Sequence, residues 1–183
     1  MKPERCLEKG RLKTIEGSDH RPVSSLAVQV VTSGRGKALI MDGSRTVDPY
    51  FMVRECKSVG LEERKILKKI MVSRAFTAYQ CKDLVEKVEA RLEEMPIIFL
   101  GAVALSPLFE DKEIGQEEGR WLRSKLIKRM NELVKEKELY GVIVDPNSEI
   151  FQKRNRSGKE RNESCSNRGR KKYMNHSNAS SIG

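Results

Sequence analysis

Residues 17–24, GSDHRPVS, lie between a short apolar run, LKTI (12–15), and a helix-like run, SSLAVQVV (24–31). A strand-to-helix junction of this kind is where a phosphate-binding loop, GxxxxGK[ST], does its chemistry. Its glycines let the backbone curl round a phosphate, and its lysine neutralises the transferring γ-phosphate. Gly17 keeps the first glycine here, but Pro22 stands at the second and Val23 at the lysine. Pro22 brings neither a backbone donor nor freedom in φ, and Val23 brings no charge. Ser24 keeps the hydroxyl that would touch Mg²⁺, although a serine at a helix start is better explained by capping.

Other chemistry is sparsely supplied. Cys6, Cys56, Cys81 and Cys165 are far apart and form no CxxC pair, so neither a zinc site nor a dithiol redox motif is indicated. They read as free thiols of a reducing compartment. His20 and His176 are the only histidines, which leaves little material for histidine catalysis. The start of the chain is charged, and no apolar run reaches the roughly 18 residues of a membrane span, so a soluble, cytoplasmic protein without membrane contact is expected.

The elements that must position the loop follow from the patterning. Short apolar runs alternate with longer amphipathic ones, as in a parallel sheet wrapped by helices. The strands expected are 12–15, 38–41, 70–72, 97–100 and 141–144. Asp48-Pro49 predicts an N-cap and first turn, and Gly60 a stop, for a helix over 49–58. Leu84, Val88 and Leu92 give the segment 80–94 an apolar face. Leu122, Leu126, Met130 and Leu133 do the same for 117–139, with Trp121 and Val134 widening the stripe. Both stripes read as core packing.

Several motifs in order resemble the RecA/RadA recombinase ATPases. MDG, VDPY, VGLE and VSRAFTAYQ stand where that family follows its second strand with an acidic turn, a helix start, a break, and a strand leading into a Gln-containing helix. IIFLGAVALSPLF continues as the Walker B strand, and YGVIVDPN as the next strand, so the likeness covers residues 10–147. It implies a three-layer α/β/α RecA-like fold with a mainly parallel sheet, truncated after GVIVDPN. It also implies losses. Gly101 stands for the acid that would hold Mg²⁺, and Ser44 for the glutamate that would activate water. Asp42 reads as a turn residue rather than a substitute base. With the lysine gone at Val23 as well, the resemblance is to a degenerate archaeal RadA-like paralogue: not an enzyme, with no catalytic residue, cofactor or metal. The segment matching the first DNA-binding loop is acidic (Glu110, Asp111, Glu113, Glu117 and Glu118 against Lys112) and would repel phosphate.

Charge is uneven along the chain. Of the formal +10, most lies in residues 151–183, where nine basic residues meet two glutamates. This stretch has too few large apolar residues to offset the entropy of ordering it, so 1–150 is expected to form the domain and 151–183 a flexible basic tail. Lys153, Arg154, Arg156, Lys159, Arg161, Arg168, Arg170, Lys171 and Lys172 could hold DNA or RNA through phosphate contacts. Two functions follow. One is a non-catalytic accessory factor in DNA repair or recombination, acting through a RecA/RadA-like recombinase partner or DNA. The other is a stand-alone nucleic-acid-binding or regulatory module on an inactivated ATPase fold.

Overall fold

A computed structural model describes residues 7–147. Cys6, Cys165 and the nine basic residues from Lys153 to Lys172, with the expected flexible tail, lie outside the described residues. The elements run β1 (Leu12–Glu16), α1 (Arg21–Ser33), β2 (Lys37–Asp42), α2 (Pro49–Ser58), α3 (Glu63–Leu67), β3 (Ile70–Arg74), α4 (Ala78–Glu94), β4 (Ile97–Val103), a 3-10 turn (Ser106–Phe109), α5 (Gln116–Glu136) and β5 (Tyr140–Asp145). The five strands form one sheet in the order β1-β5-β4-β2-β3, with every pair parallel.

The period-2 geometry of a strand sends alternate side chains to opposite faces, and here both faces are covered. Leu39, Met41, Leu100, Ala102 and Ile143 point toward α4 and α5. Ala38, Ile40, Phe99, Val103, Val142 and Val144 point toward α1, α2 and α3. The fold is therefore the three-layer α/β/α arrangement.

Helix ends obey local chemistry. Asp48 caps α2 by accepting the amide of Tyr50 at 2.8 Å, and Gly60, at φ +70°, makes the turn that ends this segment. Thr77 caps α4 by accepting the amide of Gln80 at 3.2 Å. Thr77→Ala is expected to lower stability by about 1 kcal/mol, read as a lower urea midpoint with an unchanged slope.

Four sequence expectations need correction. β4 runs on to Val103 rather than ending at Leu100, because Gly101, Ala102 and Val103 are small or apolar enough to stay in a strand buried on both faces. α4 starts at Ala78, and its buried face is Ala78, Cys81, Val85 and Val88, which leaves Leu84 and Leu92 at the margin. α5 stops at Glu136; Glu138, at φ +50°, turns the chain so that Leu139 is buried beyond the helix. Trp121 is 53% exposed rather than part of the stripe, with the Lys125 ammonium 3.9 Å from its ring centre. The short α3 and the 3-10 turn carried too little periodicity to be foreseen.

Cys56 and Cys81 are free, buried thiols. Burial, with a smaller contribution from the charge of Asp145, pushes the Cys81 thiol up to about 12. Cys81 is thus expected to resist alkylation at pH 8 in the native protein and to react once denaturant is added, which peptide mass spectrometry reads directly.

Candidate functional site

The loop between β1 and α1 sits at the carboxyl edge of the sheet, where open α/β sheets bind their ligands. Gly17, at φ +134°, adopts a backbone conformation that residues with a Cβ avoid, and its amide donates to the Asp145 carbonyl at 3.1 Å. α1 then begins at Arg21 with Pro22 in its first turn, where the missing N–H is harmless.

The amides exposed at a helix start would ordinarily be offered to an anion. This helix supplies its own. The Asp19 carboxylate accepts the Arg21 amide at 2.9 Å through one oxygen and the Arg21 guanidinium at 2.6 Å through the other. The Arg21 side-chain bond, and next the Arg21 amide, hold the Asp19 carboxyl below the ordinary carboxylate value. A lowered folded-state value means that the contribution of this cap is complete at neutral pH. It is lost as the pH falls from the ordinary carboxylate value toward the lowered one. Protection of the Arg21 amide, its exchange rate relative to the intrinsic rate at the same pH, should therefore fall only under acid conditions.

Ser24 does not cap α1. It lies inside the first turn, fully buried, with its hydroxyl 3.0 Å from His20 Nδ1, and the imidazole meets the Phe51 ring edge-on at 5.5 Å. The hydroxyl that would face a metal is engaged by a neighbouring side chain.

Val23 and Gly101 meet directly. Val23 is fully buried, and a Cβ placed on Gly101 would come within 2.5 Å of Val23 Cγ1 and 2.9 Å of the Phe99 ring. The positions assigned to a lysine and a metal-holding acid are thus filled by one apolar contact between α1 and β4. Because β4 extends to Val103, Gly101 lies two residues inside the strand. Val103, at its end, is also apolar and buried, so no carboxylate stands at either place.

Two buried carboxylates do stand at the carboxyl edge, and both are occupied by the chain. Asp42 accepts the amides of Ser44, Thr46 and Val47 at 3.2–3.3 Å and the Ser44 hydroxyl at 3.1 Å, with Arg74 3.6 Å away. It shapes the turn after β2, as its position before Gly43 foretold. Ser44, at the water-activating position, donates its hydroxyl to Asp42 in this turn and lies 2.6 Å from the Thr46 hydroxyl. Asp145 accepts the amides of Leu105, Ser106 and Asn147, each at 2.9 Å, and so fastens the end of β4 to that of β5. Sequence reading passed over Asp19 and Asp145. Their signal was weak: each is an Asp beside a turn, with its partners far along the chain or hidden in backbone amides.

The acidic segment 110–118 is partly structural. Glu110 accepts from Asn147 at 2.7 Å and lies 3.5 Å from Arg123; Glu118 accepts the Tyr79 hydroxyl at 2.7 Å. Glu117 and Glu118 occupy the first turn of α5, where negative charge suits the helix dipole. A cavity of about 470 Å³ beside this segment is lined by Phe109, Ile114, Arg120 and Arg123 among others.

A parallel sheet between two helical layers, with a strand-to-helix loop at its carboxyl edge, defines a RecA-like α/β domain. The Rad51 family model matches residues 23–172, most of the chain, and the chain belongs to the Rad51 family. The match starts at Val23, so Gly17 and Pro22 fall outside it, and it continues past Asn147 to Lys172, taking in all nine basic residues of that stretch. No curated protein matches the chain. Family membership points to recombination or repair. Among the described residues no helix is long and apolar enough to cross a membrane.

Proposed function

We propose that this chain is a non-hydrolytic member of the Rad51 family, an accessory factor that serves recombination or repair beside an active ATPase of the same family. The observation that carries this reading is the contact between Val23 and Gly101. The residues present do not fit magnesium–nucleotide. The cation and the acid that would hold it are replaced by packed apolar groups, Ser44 cannot act as a base, and Asp19 already satisfies the amide at the start of α1. Losing one electrostatic contact of this kind typically costs on the order of 3 kcal/mol of transition-state stabilisation, and here the cation, acid and base are absent together.

Packing against another protomer rests on different residues from catalysis, so a dead nucleotide site leaves partner binding intact. The basic residues from Lys153 to Lys172 supply a sequence-tolerant hold on DNA, strongest at low salt.

The test is to mix the purified chain with the active recombinase of the same cells, without nucleotide. The expected result is co-elution in size-exclusion chromatography that added ATP does not abolish for a partner variant unable to bind nucleotide. Separate elution under every condition removes the partner from the account.

A further inference from the structure

We propose that the carboxyl edge of β2 and β3 is a second contact site, independent of the basic run, for single-stranded nucleic acid, built from Arg45, Arg74 and Phe76. In open parallel sheets ligands gather outside the carboxyl ends of the strands. Over β1, β4 and β5 that edge is filled by the chain itself: Val23 against Gly101, Asp19 on Arg21, and Asp145 on Leu105 and Ser106. Over β2 and β3 the turn held by Asp42 occupies the inner part of the edge, but the Phe76 ring and the Arg74 side chain beyond it face water.

The register Asp42↔Arg74 sets the two turns side by side, and the Ala75 amide bonds the Asp42 carbonyl at 3.2 Å. Phe76 is 55% exposed, a large apolar ring facing water. The Arg45 guanidinium lies 5.7 Å from its centre. Arg74 turns its Nε toward Asp42 at 3.6 Å while its side chain stays half exposed.

Three features point to a ligand with both negative charge and a π-face. Asp42 is fully buried and pairs with Arg74 through Nε alone, so two arginines meet one carboxylate and the patch keeps a net positive charge on its outer side. Arg45 holds a left-handed φ of +60°, where glycine or asparagine fits a turn more easily. An arginine kept in that strained place is a pointer to function. The acid next along the chain from Arg45, Asp48, is engaged with the Tyr50 amide and Arg54, and Glu118 is engaged with Tyr79, three residues after Phe76. An exposed ring flanked by arginines is how proteins hold single strands. Bases stack on the ring whatever their identity, and phosphates meet the guanidinium groups.

The test is fluorescence anisotropy of the full chain with a labelled oligo-dT at low and physiological salt. Phe76→Ala should weaken binding about 5- to 100-fold, and Phe76→Trp should retain it. Arg45→Gly should also weaken binding and lower the slope of log affinity against log salt by about 0.7. Its melting temperature should not fall, since glycine accepts the φ of that turn. Unchanged binding by both Phe76→Ala and Arg45→Gly would overturn the proposal. So would displacement of the oligonucleotide by an acidic peptide of matched charge as readily as by unlabelled oligo-dT, since that would make the patch a peptide site.

Discussion

Gly101→Asp is expected to destabilise the protein by about 3–5 kcal/mol, an effect that would leave much of the chain unfolded at modest urea concentrations. Two costs add. Any Cβ at this position meets Val23 Cγ1 at 2.5 Å and the Phe99 ring at 2.9 Å, and neither neighbour can swing away, since both are fully buried. Such overpacking alone typically costs about 1–3 kcal/mol, the loss expected for Gly101→Ala. The carboxylate then adds a charge facing Val23, which stands where the lysine would be and offers no cation. Val23→Ala should rescue Gly101→Ala in part, with a coupling energy of about 1 kcal/mol, because the two side chains compete for one space. An aspartate tolerated at 101 without loss of urea midpoint would mean that the space between α1 and β4 is open to a polar group.

Asp145→Ala should cost about 3–5 kcal/mol, by leaving the amides of Leu105 and Ser106 buried without an acceptor at roughly 1–3 kcal/mol each. The same change frees the Asn147 amide, which is less buried. Asp145→Asn keeps one acceptor oxygen and should fall between the wild type and Asp145→Ala. Hydrogen exchange would localise the loss, with faster exchange at Leu105 and Ser106 and little change in α2. Equal exchange in both places would mean that Asp145 does not fasten the end of β4.

Much of the architecture was legible in sequence because buried parallel strands must be apolar on both faces. ALIM and GVIV therefore stand out from the charged helices around them, and Asp48-Pro49 announces a helix start through a single side-chain bond. What stayed hidden was three-dimensional. The extension of β4 through Gly101 rests on contacts with α1 that no local pattern encodes. Trp121 fits an apolar stripe by spacing, yet its ring is covered by Lys125 rather than by the core. The loss of charge at Val23 and Gly101 could be read from the chain, but their touching could not. Asp19 and Asp145 were silent for the same reason: their partners are amides, which every residue but proline carries.

The most direct test of the central claim is isothermal titration of the full chain with ATP and Mg²⁺. No saturable heat is expected up to millimolar nucleotide, because Val23 and Gly101 carry no charge and Arg21 is paired with Asp19. A one-site isotherm in the micromolar range, abolished by substituting Ser24, would contradict it.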